Sequence, residues 1–180
     1  MNSFDSYCNE LLEQSKRFNE KSKIEKNPDG IKAYRNSSLL LAICALEAFV
    51  NGISEEITIA TNFPMHSKGI LLEKEVRLEK SNWTLTNTPK ISRLVDKIEL
   101  LFHRHKRAEL SITETWWPIL KEGIDFRNKT THPKESIAIP EGFNNKIIQS
   151  VLECLSTLYK AIYKRDFPKS QLSLVSRLEF

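Results

Sequence analysis

The chain has 180 residues and a net charge of +4, and 40% of its residues are hydrophobic and 28% charged. This length fits one domain that buries about 70% of the surface exposed by its unfolded chain. The moderate positive charge permits a polyanion partner without requiring one. Five glycines beside many Leu, Ile, Lys and Glu residues favour helix over sheet, so we expect an all-α or mostly α fold.

The cysteines and histidines indicate neither a disulfide framework nor a metal site. Cys8, Cys44 and Cys154 are odd in number and far apart, so we expect reduced core residues in a cytoplasmic protein. No CxxC pair occurs and the histidines lack zinc-site spacing, so no metal or cofactor is expected. The longest apolar run, Leu39 to Leu46, is far shorter than the about 20 residues of a membrane span. We therefore expect neither secretion nor membrane insertion.

The first third of the chain predicts two helices joined by a turn. Residues 3–22 carry an apolar stripe at helical spacing, with Glu, Lys and Asn side chains on the opposite face; the stripe is Phe4, Tyr7, Cys8, Leu11, Leu12, Ser15 and Phe18. Asn27-Pro28-Asp29-Gly30 supplies turn chemistry. Residues 31–60 form the longest helix candidate, and the run from Leu39 to Val50 is apolar nearly all round. This pattern predicts the core helix of a bundle.

Four polar residues of the predicted core helix have a functional interpretation. Glu47 either orients a catalytic group or lies with Asn51, its neighbour one turn later, on a hydrated strip, because acids are rarely buried without partners. Both interpretations place Glu47 and Asn51 on the same side of the helix. Arg35 and Asn36 are suited to contact a phosphate, although a solvated helix face also accounts for them.

The middle of the chain predicts an insertion followed by a third main helix. Within residues 61–89 we expect a short charged helix over 68–80 and a polar loop over 82–89, serving as a binding loop or as a solvated excursion. Residues 90–107 predict a helix that ends in a basic run. RNA binding would use Arg104, Lys106 and Arg107 of this run to hold phosphates, whereas a basic last turn also complements the helix macrodipole without any ligand.

The last third predicts two more helices and a tail. Residues 116–130 repeat apolar side chains at helical spacing, and Pro118 suits a first turn. Trp116 and Trp117 are interpreted as core or dimer-interface anchors rather than as base-stacking platforms. Residues 143–164 predict the final helix. We therefore divide the chain into a helical domain, 1–165, and a C-terminal tail, 166–180, that docks on the body or on a partner.

Arg127 and His132 are the candidate catalytic residues. An arginine stabilises charge on phosphate oxygens, and a histidine takes or gives a proton near neutral pH. Residues five apart on an ideal helix lie about 140° apart around its axis, so the two side chains would not share a face. Pro133 and the poor helix formers Thr130 and Thr131 predict that the helix unwinds there and lets the imidazole fold back toward the arginine.

These residues, together with Ala45-Leu46-Glu47-Ala48-Phe49 in the core helix, resemble the HEPN superfamily. The HEPN signature is Arg, a polar residue, a short spacer and His, which matches Arg127, Asn128 and His132. The resemblance covers residues 3–165. It implies a HEPN-like helical bundle of four to five main helices, with a loop or short-helix insertion between the second and third.

The resemblance also implies a metal-independent endoribonuclease, a toxin or anti-phage defence effector that cleaves RNA by attack of the 2′-hydroxyl. Arg127 and His132 would be catalytic in a composite site of a homodimer, with Asn128 positioning them or the phosphate. Lys129 and Lys134 would contact RNA, and an antitoxin or partner protein is a further expected partner. Toxins paired with a nucleotidyltransferase antitoxin carry Tyr where this chain has Lys134, so control by AMP transfer to that position is not expected.

The alternative is a non-catalytic helical interaction module that binds a partner protein or a nucleotide. In that interpretation Arg127 forms a structural ion pair with Glu47 or Asp125, and His132 ends a helix.

Overall fold

The computed structural model describes residues 3–60, 62–106, 110–134 and 137–180, and 68% of it is helical. The elements are α1 (Ser3–Ile24), α2 (Pro28–Ala60), α3 (Met65–Leu72), β1 (Lys74–Glu79), β2 (Asn82–Pro89), α4 (Leu94–Lys106), α5 (Leu110–Thr113), α6 (Trp117–Thr131) and α7 (Phe143–Tyr163), followed by a 3-10 turn at Lys169–Gln171. The mostly helical class is confirmed. The five main helices begin and end within a few residues of their predicted positions.

The chain divides into two compact units. The first comprises Met1–Leu46 and Ser111–Phe180, and the second comprises Glu47–Leu110. The first half of α2 therefore belongs to one unit and its second half to the other. The C-terminal tail belongs to the first unit.

The core of the first unit is formed by α1, α2, α6 and α7. The Ser15 hydroxyl of α1 donates a hydrogen bond to the main-chain oxygen of Ser38 at 2.7 Å, which ties α1 to the start of α2. Helix α7 buries one long apolar stripe, as its spacing predicts. The fully buried residues include Leu12, Leu39, Ile43, Leu120, Ile147, Val151 and Leu155.

The C-terminal tail lies along α1 and covers its polar face. Arg177 donates its main-chain N–H to Glu13 Oε2 at 2.6 Å, and Ser176 donates its own to Glu20 Oε1 at 2.8 Å. Glu13 and Lys16 are consequently 3% and 0% exposed. Asn19 is 5% exposed and donates its Nδ2 to Asn145 Oδ1 of α7 at 2.6 Å. The prediction that the Glu, Lys and Asn side chains of α1 face solvent is wrong at these three positions, because the tail shields Glu13 and Lys16 and α7 contacts Asn19.

A β-hairpin stands where the sequence analysis expected a charged helix and a loop. Antiparallel β1 and β2 pair Val76 with Leu85 and Leu78 with Trp83. They are joined by Lys80 and Ser81, whose φ angles are +46° and +68°. Two successive left-handed residues make a turn whose twist matches that of the strands. The prediction is therefore wrong over 74–89, and the helical part of the insertion is α3.

One face of the hairpin packs on α3 within the second unit. A Cβ atom added to Gly69 of α3 would lie 2.6 Å from Val76 Cγ2 and 2.9 Å from the Lys74 main-chain oxygen, so glycine allows the helix to approach the strand. The ring centroids of His66 and Trp83 are 4.6 Å apart. The alternating strand residues thus place Val76 and Trp83 on the face that meets the helix.

Helix α2 is less uniformly buried than its composition predicts. Cys8 and Cys154 are buried as expected, but Cys44 of α2 is exposed, so its assignment to the core is wrong. An apolar run that contains no polar residues does not indicate which face of the helix is solvated. Among the described residues, α2 alone has the length and composition of a membrane span, and 56% of that window is buried inside the structure. The core helix of a soluble protein meets the same criteria.

Candidate functional site

Helix α6 carries the candidate catalytic residues and packs closely on α7. Pro118 lies in its first turn, where a missing N–H leaves no hydrogen bond unmade. A Cβ atom added to Gly123 would lie 2.6 Å from Ile147 Cδ1, so a larger residue here would require the Ile147 side chain or the helices to shift. Near the end of α6, the rings of Phe126 and Phe143 have centroids 4.9 Å apart. These contacts fix the position of the turn that bears Arg127.

The last turn of α6 stays helical through both threonines. Thr130 donates its hydroxyl to the Phe126 main-chain oxygen at 2.8 Å, and Thr131 donates to that of Arg127 at 3.0 Å. The N–H of His132 still donates to Asn128 O at 2.9 Å. The predicted unwinding at Thr130 and Thr131 is therefore wrong, because bonds to carbonyls four residues earlier accommodate threonine within a helix.

His132 is the first residue to leave the helix. Its φ and ψ angles are −127° and +62°, which confirms the expected departure from helical geometry before Pro133. Because α6 is continuous to Thr131, the Cα atoms of Arg127 and His132 lie roughly 140° apart around the axis. Both residues therefore lie at one end of α6 but on different sides of it.

The three motif residues differ in exposure. Arg127 is half-buried, whereas Asn128 and His132 are exposed, and the Nε atom of Arg127 is enclosed by protein. The protein thus holds the arginine stem and leaves the imidazole open to a ligand. This end of α6 has the groups for proton transfer and for binding a phosphate oxygen.

The two lysines near the motif are in different situations. Lys129 pairs with Asp125 one turn earlier, at 2.7 Å, and both side chains are more than half exposed. Such a surface pair contributes little to stability and leaves the lysine able to exchange partners. Lys134 is exposed in the connection after α6.

The two tryptophans at the start of α6 are core residues. Trp116 and Trp117 are 5% and 1% exposed, their rings pack edge to face with centroids 5.9 Å apart, and Trp116 Nε1 donates to Glu114 Oε2 at 2.9 Å. Of the two roles considered for them, the core role is confirmed. Their burial leaves little surface for an interface between chains.

Glu47 and Asn51, the candidate supporting residues, belong to the second unit. Glu47 is half-buried. Asn51 Oδ1 accepts a hydrogen bond at 2.8 Å from Nζ of Lys97, which is 2% exposed and also pairs with Glu73 at 3.0 Å. Asn51 therefore supplies a hydrogen-bond acceptor to a buried lysine. Helical spacing did not indicate this structural role.

The basic run at the end of α4 is also in the second unit. Arg104 donates to the Asn62 main-chain oxygen at 3.4 Å and stacks on the Phe63 ring at 5.3 Å, so part of its surface is engaged. His103 and Lys106 are exposed and His105 is half-buried. Arg107 lies outside the described residues.

Within the described ranges, no group of three or more His, Cys, Asp or Glu side chains is arranged to hold a metal ion. No protein-family model, curated protein or solved structure matches the chain.

Proposed function

We propose that the chain is a metal-independent endoribonuclease of the HEPN type that acts as a homodimer in the cytoplasm. The observation that carries the proposal is the end of α6, where half-buried Arg127 and exposed Asn128 lie in the last two turns of one continuous helix and exposed His132 directly follows it. Such enzymes serve as toxins or defence effectors, and that role is proposed here too, with an antitoxin or partner protein as its regulator.

Each motif residue has a distinct task in the proposed reaction. His132 accepts the proton of a ribose 2′-hydroxyl, whose oxygen attacks the adjacent phosphorus, and a protonated histidine gives a proton to the departing 5′-oxygen. Arg127 binds the phosphate oxygens as negative charge grows on them. Asn128 orients the phosphate with its amide. The products carry a 2′,3′-cyclic phosphate and a 5′-hydroxyl.

The placement of the two residues on α6 supports the proposed dimer. One chain presents Arg127 and His132 on different sides of the helix and supplies one histidine, whereas the reaction uses both a base and an acid. Two helix ends related by a two-fold axis would bring two copies of each residue to one RNA strand. Lys129 and Lys134 flank that region and would bind neighbouring phosphates.

Cleavage of labelled RNA in EDTA tests the activity. His132→Ala and Arg127→Ala should each reduce the cleavage rate by about 100-fold or more, with an unchanged helical circular dichroism spectrum. His103→Ala, which removes an exposed histidine from α4, should retain the wild-type rate. Wild-type rates in both motif variants, or cleavage of a substrate lacking the 2′-hydroxyl at the scissile position, would refute the proposal.

Mixed dimers test the composite site. When equal amounts of wild-type and His132→Ala chains are co-expressed, half of the dimers are mixed and lack one of the two histidines, so the activity should fall to about a quarter of the wild-type level, whereas independent chains would retain about half. Arg127→Ala and His132→Ala should each be inactive alone. A monomer at micromolar concentration with full cleavage activity in light scattering would exclude the shared site.

The enclosed Nε atom of Arg127 favours a second candidate, a non-catalytic helical module that binds a partner protein or nucleotide. A structural arginine would stabilise the fold, so Arg127→Ala would lower the unfolding midpoint. A lower unfolding midpoint of Arg127→Ala, together with the absence of RNA cleavage by the wild-type protein, would support the module and exclude the nuclease.

A further inference from the structure

A polar pocket of about 340 Å³ lies inside the first unit, at the ends of three helices. The end of α1 contributes Lys23, the start of α2 contributes Arg35, and the start of α7 contributes Gly142, Asn144 and Asn145. From its sequence context Arg35 is suited to contact a phosphate or to lie on a solvated helix face, and the pocket gives the first interpretation a location.

Asn144 supplies an unsatisfied acceptor at this pocket. The residue is 3% exposed, and its Nδ2 donates to the Arg35 main-chain oxygen at 2.8 Å, which determines the orientation of the amide. Its Oδ1 atom is buried and has no hydrogen-bond partner among the described residues. An enclosed acceptor without a donor is unfavourable, so an occupant of the pocket that carries an O–H or N–H group would be stabilised there.

The same pocket attracts negative charge. Helix α7 has 21 residues and begins after Gly142, whose φ is +73° and which provides no side-chain cap. The Phe143 N–H donates to the Pro140 main-chain oxygen at 3.2 Å, which leaves the N–H groups of Asn144 and Asn145 for an anion. Lys23 Nζ lies 3.2 Å from Asn145 Oδ1, which positions its ammonium group at the pocket. Arg35 adds a second cation.

Two acidic residues also line the pocket, Glu25 and Glu141. Oε1 of Glu25 accepts the N–H groups of Lys26 and Asn27 at 2.8 and 2.9 Å, so part of this carboxylate is committed to its own turn. Glu141 is exposed, and water therefore screens its charge.

We propose that this pocket binds the phosphate group of a phosphate monoester or of inorganic phosphate. Its unprotonated oxygens accept from Lys23, Arg35 and the main-chain N–H groups of Asn144 and Asn145, while a protonated oxygen donates to Asn144 Oδ1. At pH 6 about half of a phosphate monoester retains one proton, because its second pKa is about 6, whereas sulfate and phosphodiesters have none to donate. The pocket therefore selects anions that carry a proton as well as negative charge. This binding is independent of the cleavage reaction proposed for α6.

Calorimetric titration near pH 6 tests the selectivity. Inorganic phosphate should bind the intact chain about tenfold more tightly than sulfate, since sulfate leaves the buried acceptor unpaired. Adenosine monophosphate and ribose 5-phosphate distinguish the sources: tighter binding of either than of inorganic phosphate identifies an organic ester as the ligand. Equal affinity for phosphate and sulfate would overturn the proposal.

Three variants with intact helices test the location. Lys23→Gln should weaken phosphate binding about threefold, and Glu141→Gln should tighten it by a similar factor. Lys26→Gln removes an equal charge from an exposed residue outside the pocket lining and should leave the affinity unchanged.

Asn144→Ala should abolish the preference for phosphate over sulfate. Because Asn144→Ala also loses the hydrogen bond to the Arg35 main-chain oxygen, its circular dichroism spectrum is compared with that of the wild type. If Asn144→Ala fails to fold, the phosphate affinities of Lys23→Gln and Glu141→Gln test the site. No binding of phosphate up to roughly 10 mM, or tighter binding of Mg²⁺ or Ca²⁺ that is lost in Glu141→Gln, would refute an anion site. None of these outcomes bears on RNA cleavage by the wild-type protein, so a failure of the phosphate site is distinguishable from a failure of the proposed nuclease.

Discussion

Replacing Lys16 with methionine should destabilise the protein strongly, because Lys16 forms a fully buried ion pair. Its Nζ lies 2.8 Å from Glu13 Oε1, and the two side chains are 0% and 4% exposed. The same ammonium group donates to the main-chain oxygen of Gln171 at 2.9 Å. Methionine retains most of the packing volume and removes the charge and both hydrogen bonds.

The expected loss of unfolding free energy is about 3 kcal/mol. Breaking a buried pair by removing one partner costs about 3 to 5 kcal/mol, since the remaining charge is left uncompensated. Glu13 keeps the N–H of Arg177 at 2.6 Å and its guanidinium Nε at 3.5 Å, so the lower end of that range applies.

Urea unfolding followed by circular dichroism at 222 nm measures this loss, with the roughly linear dependence of free energy on denaturant. Lys23→Met is the matched control, because Lys23 is an exposed lysine of the same helix, and its cost should stay within about 0.5 kcal/mol. If Lys16→Met proved as stable as that control, the buried pair would not hold the tail on α1.

The same network gives a pH dependence of stability. Burial raises the pKa of the Glu13 carboxyl, but hydrogen bonds and charges from Lys16 and Arg177 outweigh it and lower the pKa below its ordinary value of 4.5. Because the folded pKa is below the unfolded one, this contribution is present above pH 4.5 and is lost as the pH falls through the folded pKa. Glu13→Gln should flatten the acid limb of the stability curve, and an unchanged limb would contradict this assignment.

Two further predictions concern packing and thiols. Gly123→Ala and Ile147→Val should be coupled in their effects on the unfolding free energy. Ile147→Val should cost about 1 kcal/mol in the wild type and about half of that in the alanine background, because Val lacks the Cδ1 atom that the new Cβ meets at 2.6 Å. Additive unfolding free energies would show that the helices move apart instead. Ellman's reagent should modify Cys44 in the native protein, whereas Cys8 and Cys154 are buried and burial raises the pKa of the Cys154 thiol, so reaction at all three before denaturant is added would contradict the structure.

Sequence patterns predicted the main helices because their burial is local and periodic. Helix α7 buries residues at helical spacing from Ile147 to Leu158, and no distant segment alters that pattern. The polar face of α1 could not be predicted in the same way. Glu13 and Lys16 have the composition of a solvated face, and a segment more than 150 residues later in the chain covers them.

The hairpin was predicted as helix and loop although its sequence carries a signal. Residues 75–79 alternate polar and apolar side chains, a period of two that charged residues made resemble a helix. The turn residues Lys80 and Ser81 are not those that usually adopt left-handed angles. Tertiary packing of Val76 against Gly69 stabilises the hairpin although its turn residues have only a weak preference for left-handed angles.

The candidate site was predicted in its position but not in its geometry. Sequence patterns placed Arg127 and His132 at the end of a helix, and Pro133 predicted the departure of His132 from helical angles. They did not predict that the hydroxyls of Thr130 and Thr131 would hold the last turn together. That detail separates the two candidate catalytic residues around the helix axis.

The docking of the tail on α1 has a consequence for biosynthesis. Lys16 and Gln171 are 155 positions apart, and ribosomes add about 5 to 20 residues per second, so the acceptor reaches the lysine roughly 8 to 30 s after the lysine is made. During that interval α1 presents Glu13 and Lys16 without the segment that later covers them. The first unit can therefore acquire its finished structure only after the ribosome has translated nearly all of these residues, and N-terminal nascent chains would offer this uncovered helix to chaperones.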